Sequence, residues 1–350
     1  MTSRDRMIKT LRFEEVDRVP RNLWTLPGIG MFRSAELAVI KERFPSDITG
    51  AQVRYGASAR ARGTPCRIGT YTDEWGTLWE VAEDGIIGEV KHPILGSEAA
   101  MEAYKLPWEL LEGIDFSGLS AQRAGSDRDA FLLCGTHTRP FERLQFLRGT
   151  ENVLMDLAYG SAALERLRDR LHEFSLKEME LVAASDADAV SFMDDWGSQT
   201  SLLISPALWR SFFKPLYKAY CDILHAKGKY VFFHSDGNIE AIYPDLIEIG
   251  VNAVNSQLFC MDMEALGAAY AGKIVFWGEL DRQYVLPFGT KAEVEAAVAR
   301  AVRAFIGKDG VRQGAAVGRG RRTGVIAQME WGIADPAANI ETAFQAWDRV

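Results

Sequence analysis

Eight short apolar segments of β-forming residues recur along the chain, and segments with helical periodicity separate most of them. Strands that alternate with helices of about 10 to 20 residues indicate βαβ units around a parallel sheet. No G-x-G-x-x-G motif follows an early strand, which argues against a dinucleotide-binding fold. We therefore predict one α/β domain over residues 1–350, a single (β/α)8 TIM barrel whose strands begin near Val19, Ile48, Phe131, Val190, Val231, Val251, Val275 and Val325.

Two segments depart from this alternation. The segment from Ser3 to Phe13 carries apolar groups at helical spacing, which predicts a short surface helix as an N-terminal elaboration. Residues 71–90 are rich in Gly, Thr, Trp and acidic residues, with Gly85 between two short β-prone runs. This pattern predicts a β-hairpin insertion over or near the mouth of the barrel.

Composition limits the class of protein. Hydrophobic residues make up 47% of the chain and charged residues 25%, which is the balance of a soluble globular protein. The net charge of -8 disfavours a broad nucleic-acid surface, and the basic cluster Arg319-Gly-Arg-Arg322 predicts either a solvated loop or a contact for an anionic ligand. No apolar run reaches membrane-spanning length, the N-terminus lacks the apolar core of a signal peptide, and the four cysteines show no C-x-x-C spacing. We therefore expect a cytoplasmic protein with reduced thiols.

Polar residues directly follow several predicted strands. The apolar run from Tyr230 to Phe233 stops at His234 and Asp236, which project from one face because residues i and i+2 of a strand do so. In a barrel the carboxyl ends of all strands meet at one mouth. We therefore predict a site at this mouth with His234, Asp194 and Asp195 as catalytic residues. The predicted substrate contacts are Trp75, Trp196, Gln199, Asn255, Gln257, Glu279 and Gln328.

Individual residues at this mouth allow two interpretations each. His234 is either a metal ligand or general acid/base, or a barrel histidine bonded to a carboxylate or a backbone carbonyl. Asp194 and Asp195 are adjacent, so only one of them can point inward along the strand. The segment from Asp194 to Gln199 either contacts substrate or forms a turn that caps the next helix. His137, which follows the strand beginning at Phe131, is the second-choice histidine.

Several motifs occur in a fixed order along the chain: Asp194-Asp-Trp-Gly-Ser-Gln199, Ile204-Ser-Pro-Ala-Leu-Trp209, Phe213-Lys-Pro215, Phe233-His-Ser-Asp-Gly237, Phe276-Trp-Gly-Glu-Leu-Asp281 and Gly324-Val-Ile-Ala-Gln328. As a set they resemble the uroporphyrinogen decarboxylase superfamily, and the resemblance runs from Met7 to the last helix. It implies a (β/α)8 barrel and an enzyme of one of two branches.

The first branch decarboxylates the acetate arms of uroporphyrinogen III and carries an arginine-rich segment near its first strand. The corresponding stretch here, Leu23 to Gly30, contains no arginine. A substrate with many carboxylates needs fixed cationic partners, because an unpaired buried carboxylate is costly. A decarboxylase of a smaller carboxylate stays open, with Asp194 or Asp195 and His234 as acid/base groups. Its anchor is then one of Arg21, Arg54 and Arg60.

The second branch resembles methylcobamide:coenzyme M methyltransferases, in which a zinc ion held by His-x-Cys and a later Cys activates a thiol. His234 matches the histidine, whereas Asp236 stands at the first cysteine and Met329 lies near the later one. The resemblance therefore implies Zn2+ or another divalent metal on His234 and Asp236, with Glu330 or Glu279 as a further ligand. The exchange of a thiolate for a carboxylate implies a substrate other than a thiol.

The expected function is thus a corrinoid-linked methyltransferase that acts on a small non-thiol molecule. The corrinoid is expected on a separate partner protein. Trp75 and Trp79 of the hairpin, together with Trp196, are expected to wall the pocket. Barrels of this kind often pair, so a homodimer is also expected. The alternatives are a decarboxylase of a small carboxylate and a non-catalytic binding barrel that has lost the thiolate site.

Overall fold

The computed structural model describes residues 1–125, 127–306 and 324–350, so the basic cluster Arg319 to Arg322 lies outside the described residues. The described strands are β1 (Arg21–Thr25), β2 (Ile48–Gly50), β3 (Gly69–Thr72), β4 (Leu78–Val81), β5 (Phe131–Gly135), β6 (Ala189–Met193), β7 (Tyr230–Ser235), β8 (Ala253–Ser256), β9 (Val275–Trp277) and β10 (Val325–Trp331).

Helices occupy most of the intervening chain. They are α1 (Ser3–Leu11), α2 (Pro27–Phe32), α3 (Ser34–Arg43), α4 (Glu98–Ala103), α5 (Glu109–Glu112), α6 (Ser117–Ala124), α7 (Pro140–Arg148), α8 (Thr150–Tyr159), α9 (Ala162–Ala183), α10 (Pro206–Phe212), α11 (Lys214–Ala226), α12 (Tyr243–Glu248), α13 (Met263–Tyr270), α14 (Val285–Phe288), α15 (Lys291–Phe305) and α16 (Ala337–Asp348). Short 3-10 turns lie at Glu240–Ile242 and Leu258–Cys260. Among the described residues, no helix combines the length and apolar character needed to cross a lipid bilayer.

Eight strands form one parallel sheet in the order β1-β10-β9-β8-β7-β6-β5-β2. The two outer strands approach each other where the Asp47 N–H donates to the Arg21 carbonyl over 2.8 Å, so the sheet is a nearly closed barrel. All eight predicted barrel strands are present, and the predicted (β/α)8 fold is confirmed. The first strand begins at Arg21, two residues later than predicted, just after Pro20, which has no N–H to donate to a sheet.

The N-terminal end of the barrel is filled with apolar side chains. Helix α1 packs against β2 and β5 and buries Met7 and Leu11 beneath the barrel interior. Phe131, Phe232 and Ile326 continue this packing between the strands. The predicted surface helix is therefore a plug for this end. The buried Arg6 of α1 is paired with Asp17 and Asp47 at this end. Active sites of TIM barrels lie at the opposite end, where the strands end.

The predicted hairpin is present as the antiparallel pair β3 and β4, with Gly69 opposite Val81. Its turn spans Asp73 to Thr77, where Asp73 Oδ1 accepts the backbone N–H groups of Trp75 and Thr77. The sequence interpretation put the break at Gly85, and the structure differs. Gly85 instead lies in a second reversal, and its carbonyl accepts the Gly28 N–H, which ties the hairpin to the chain that follows β1.

Candidate active site

Three side chains converge at the carboxyl ends of β6 and β7. His234 Nε2 lies 3.6 Å from Asp195 Oδ1 and 3.7 Å from Asp236 Oδ1. One ligand atom from each of the three residues lies within 4.8 Å of the other two. We call Asp195, His234 and Asp236 the carboxylate–histidine cluster. The structure thus brings together three of the predicted site residues.

The tautomer of His234 follows from its neighbours. Asn255 Nδ2 donates to the Trp277 carbonyl and, over 2.8 Å, to Gln328 Oε1, so its amide oxygen faces the other way. That oxygen lies 2.6 Å from His234 Nδ1 and must accept the proton on this nitrogen. In the neutral ring, Nε2 is then the nitrogen without a proton, and it faces the two carboxylates. Asn255 and Gln328 were predicted as substrate contacts, but both are buried: Asn255 holds the His234 ring, and Gln328 holds Asn255.

Arg282 binds the other carboxylates of the mouth. Its guanidinium donates to Asp236 Oδ2, to Glu279 Oε2 over 3.1 Å and to Glu330 Oε1 over 2.7 Å. Burial by itself would lower the pKa of Arg282, but attraction from these three carboxylates outweighs it and raises the pKa. Burial raises the pKa of Glu279 well above its ordinary value.

Glu330 and Glu279 were predicted as further metal ligands, and the structure places both on Arg282 instead. The third member of the carboxylate–histidine cluster is Asp195. Met329 supplies no ligand because its side chain is fully buried on the other face of β10, in the apolar core.

Two glycines bring the loops after β6 and β7 into contact. The Gly197 N–H donates to the Asp236 carbonyl over 3.0 Å. A Cβ atom on Gly237 would lie 2.3 Å from the Gly197 carbonyl carbon, closer than any side chain permits. Gly237 also has a φ of 76°, which favours glycine. The Asp236 N–H donates to Asp195 Oδ1 over 2.8 Å, so the loop contact sets the spacing of the two carboxylates.

Asp194 faces away from this cluster. Its carboxylate accepts the backbone N–H groups of Phe141 and Glu142, both over 2.7 Å, and the Tyr217 hydroxyl over 2.6 Å. It therefore holds the first turn of α7, which precedes it in the chain, whereas the capping interpretation of its motif placed the cap on the next helix. Burial raises the pKa of Asp194 to about 7. Of the two adjacent aspartates, Asp195 is the one that reaches His234, so the structure assigns Asp194 a structural contact rather than the predicted catalytic one.

The tryptophans expected to wall the pocket lie in the core. Trp196 is fully buried, stacks on Phe141 at 4.1 Å between ring centroids and donates to Tyr217. Trp75 is 2% exposed and packs beneath the Arg143 guanidinium. Neither ring offers a free face to a ligand. Large aromatic side chains stabilise the fold most when they are completely buried in the core.

The remaining predicted contacts lie at the rim. Gln199 is exposed and accepts a hydrogen bond from Gln283. Gln257 accepts the Gly237 N–H and lines a cavity of about 250 Å³ together with Arg282 and Glu330. Asp335, another lining residue, has its pKa raised to about 6 by burial.

His137 takes part in a second polar cluster at the end of β5. The buried Glu178 carboxylate accepts the Tyr55 hydroxyl, the His137 backbone N–H and the Thr138 hydroxyl over 2.7–2.8 Å. The His137 ring lies edge-on to Tyr55, with Nδ1 3.4 Å from Glu178 Oε1. This cluster orients the loop between β5 and α7.

The three arginines considered as anchors lie elsewhere. Arg21 pairs with Asp348 of the last helix, Arg54 pairs with Asp115, and Arg60 donates to the Lys105 carbonyl. None of them contacts the carboxylate–histidine cluster in the described residues. The arginines that do lie at the mouth are Arg282 and Arg139.

Sequence reasoning missed four residues of the mouth. Arg282 and Arg139 follow strands β9 and β5 by a few positions, the spacing that identified the aspartates. Trp24, near the end of β1, lies 5.2 Å from the His234 ring between centroids. Glu142 is largely buried, and this burial, followed by repulsion from Asp195, raises its pKa to about 8. A rule that scored every polar or aromatic residue at the end of a strand or in the five positions after it would have included all but Glu142, whose position depends on the start of α7.

The carboxylate–histidine cluster fits a divalent metal ion. Ligands of one ion at about 2.1 Å lie about 3.0–3.4 Å apart, so the observed separations of 3.6 and 3.7 Å need only small shifts. Asp236 Oδ1 is buried and has no hydrogen-bond partner among the described residues. One imidazole with two carboxylates suits zinc and also harder ions such as Mn2+.

Three solved structures are similar to this chain to different degrees. A solved structure of a methyltransferase from Methanosarcina mazei matches with a TM-score of 0.71 at 15% identity, covering 100% of this chain and 99% of that one. At that identity the likeness shows the fold alone. A class V chitinase from Pseudomonas fluorescens Pf-5 matches at 13% identity over 81% of this chain and 65% of that one, with a TM-score of 0.31. A GH113 β-1,4-mannanase matches at 8% identity over 95% and 99%, with a TM-score of 0.38. At TM-scores this low, neither of these last two matches indicates a shared fold.

No curated protein matches the chain. The family model described as uroporphyrinogen decarboxylase (URO-D) matches residues 63–315, which span β3 to β9 and therefore include the carboxylate–histidine cluster and Arg282. The chain therefore belongs to the uroporphyrinogen decarboxylase family.

Proposed function

We propose that the chain is a methyltransferase that moves a methyl group between a small non-thiol molecule and a corrinoid carried by a partner protein. The observation that carries this proposal is the carboxylate–histidine cluster, in which His234 Nε2 faces Asp195 and Asp236. A divalent metal held by these three residues would act as a Lewis acid on an oxygen or nitrogen of the substrate. Two carboxylates in place of thiolates favour such a harder heteroatom over sulfur.

The surrounding residues hold this arrangement. Asn255 fixes the His234 tautomer, and the Asp236 N–H fixes Asp195 Oδ1. Arg282 binds the second oxygen of Asp236 and leaves Oδ1 directed at the cluster. Trp24 packs beside the His234 ring and limits water on that side. In the proposed transfer, the electron pair of the broken methyl–heteroatom bond would stay on the heteroatom, which would take a proton from solvent. The methyl acceptor would supply the electron pair of the new bond.

Metal content tests the first step. Wild-type protein purified without chelator is expected to hold about one divalent ion per chain by plasma mass spectrometry, and His234→Ala is expected to hold none. His92→Ala, which removes an exposed histidine, is the matched control and should retain the metal. Equal metal content in His234→Ala and wild type would show that the cluster is not the site.

Methyl transfer tests the second step. Cob(I)alamin with methanol, methoxyacetate or N,N-dimethylglycine should give methylcobalamin with wild type and His92→Ala but not with His234→Ala. A metal-loaded wild type that methylates cob(I)alamin from none of these donors, and that retains no corrinoid protein, contradicts the proposal.

Decarboxylation of a small carboxylate is the second candidate. It is supported by the family match and by the presence of Arg139 and Arg282 at the mouth. Release of carbon dioxide from a small carboxylate or from uroporphyrinogen, lost in His234→Ala, would favour it over methyl transfer. Retention of a corrinoid protein without any turnover would favour the non-catalytic binding barrel. The homodimer stays a prediction.

A further inference from the structure

Arg139 lies at the mouth beside the carboxylate–histidine cluster. It is the residue before α7, in the loop that follows β5. Its Nη2 donates to Met193 Sδ over 2.9 Å, and Met193 is the register partner of His234 in the β6–β7 pair. The guanidinium therefore lies over β6, one strand from the histidine.

The donors of Arg139 are largely unused. A guanidinium carries five N–H donors. In the described residues Arg139 contacts a thioether, which is a weak acceptor, and Glu142 Oε2 at 3.6 Å, beyond hydrogen-bond distance. Its side chain is 26% exposed. Arg282 differs, because three carboxylates already bind it.

Space for a ligand is open on the same side of the barrel. A Cβ atom on Gly50, at the end of β2, would meet nothing within 4 Å. A Cβ atom on Gly135, at the end of β5, would meet only Ser191 Oγ at 4.0 Å. Adjacent strands thus end without side chains beside the loop that carries Arg139.

We propose that Arg139 binds a carboxylate of the substrate and places a neighbouring oxygen or nitrogen at Asp195, His234 and Asp236. The substrate class is then a small monocarboxylate with a methylated heteroatom. A planar guanidinium matches a carboxylate through two parallel hydrogen bonds. A monoanion is favoured over a phosphate dianion because one guanidinium supplies a single positive charge. This inference deepens the proposed function by naming its substrate class.

Binding of defined probes tests it without any turnover. Methoxyacetate, 3-methoxypropionate and N,N-dimethylglycine carry both groups, 1,2-dimethoxyethane lacks the carboxylate, and methyl phosphate replaces it. Calorimetry and saturation-transfer NMR would be run with the metal-loaded full chain. At least one carboxylate probe is expected to bind wild type about tenfold more tightly than 1,2-dimethoxyethane.

Two variants and one control locate that affinity. Arg139→Gln is expected to lower carboxylate binding about tenfold, to the level of 1,2-dimethoxyethane, and Arg139→Lys to lower it less because the charge remains. Arg128→Gln removes an exposed arginine just before β5, at the opposite end of the barrel, and should change nothing. Melting temperature checks that each variant folds.

Three results would overturn the inference. They are wild-type affinity in Arg139→Gln, failure of every carboxylate probe to bind wild type, and tighter Arg139-dependent binding of methyl phosphate. The outcome is separable from that of the proposed function. Carboxylate binding that depends on Arg139 would support this inference even if no methyl transfer were observed. Methyl transfer that Arg139→Gln leaves unchanged would contradict this inference but not the proposed function.

Discussion

The Nδ1–H of His234 donates to Asn255 Oδ1 over 2.6 Å, and this contact leaves Nε2 as the ring nitrogen that faces the two carboxylates. The orientation of Asn255 is itself fixed, because its Nδ2 donates to the Trp277 carbonyl and to Gln328. The chemistry of the histidine is thus set by a residue that cannot touch a ligand.

Asn255→Ala is expected to weaken binding of Zn2+ or Mn2+ about 10- to 100-fold, because the imidazole loses the acceptor that fixes its tautomer. Equilibrium dialysis measures this directly. Asn255→Asp keeps an acceptor oxygen toward Nδ1 and should lose less. Equal metal dissociation constants for Asn255→Ala and wild type would show that Asn255 does not support metal binding.

Arg282→Gln is expected to cost about 3–5 kcal/mol of stability in urea denaturation, because Asp236, Glu279 and Glu330 lose the cation that binds all three. Adding Glu279→Gln should recover part of the loss. Arg300→Gln, which breaks the exposed pair with Glu264, is the control and should cost about 1 kcal/mol or less. A small loss in Arg282→Gln would mean that water stabilises Glu279 in its place.

Glu142→Gln tests a pH dependence. Burial raises the pKa of Glu142 to about 8 in the folded chain, against about 4.3 when unfolded. Between these two pKa values the folded state therefore binds more protons than the unfolded state. Glu142 thus lowers the free energy of unfolding as pH rises from about 5 to 8. The melting temperature of Glu142→Gln should match wild type near pH 5 and exceed it at pH 8. The exposed Glu98→Gln is the control, and its melting temperature should differ from wild type by the same amount at every pH. The same constant difference in Glu142→Gln would contradict the assignment.

Trp196→Ala separates a core residue from a pocket wall. The ring is fully buried between Phe141 and Phe213, so its removal should cost about 3–5 kcal/mol by leaving a cavity. Tyr159→Ala, at a side chain that is 84% exposed, should stay within about 0.5 kcal/mol of wild type. A stable Trp196→Ala protein with altered ligand binding would restore the pocket interpretation.

The barrel could be predicted because each strand is a short apolar run that only a doubly covered parallel sheet buries. The run from Tyr230 to Phe233 is an example: its Val231, Phe232 and Phe233 are all buried. The convergence of residues at the mouth also follows from topology alone. Asp195, His234 and Asp236 come from neighbouring strands and were predicted for one site.

The partners within the mouth could not be predicted, because they depend on directions that spacing leaves undetermined. The sequence alone does not distinguish the roles of Asp194 and Asp195. In the structure Asp194 caps α7, and Asp195 is the one that reaches His234. Glu330 is as good a metal ligand as Asp195 until Arg282 binds it. Trp196 suits a pocket wall or a core equally well in composition, and the packing of α7 and α10 onto it is decided only in three dimensions.

The contact between Gly197 and Gly237 makes the loops after β6 and β7 mechanically one piece. A change in one loop is transmitted to the other without passing through any side chain. Ordinary surface substitutions should therefore leave the distance between Asp195 and Asp236 unchanged. Two residues without a side-chain functional group thus set the spacing of the carboxylates on which the proposed metal site depends.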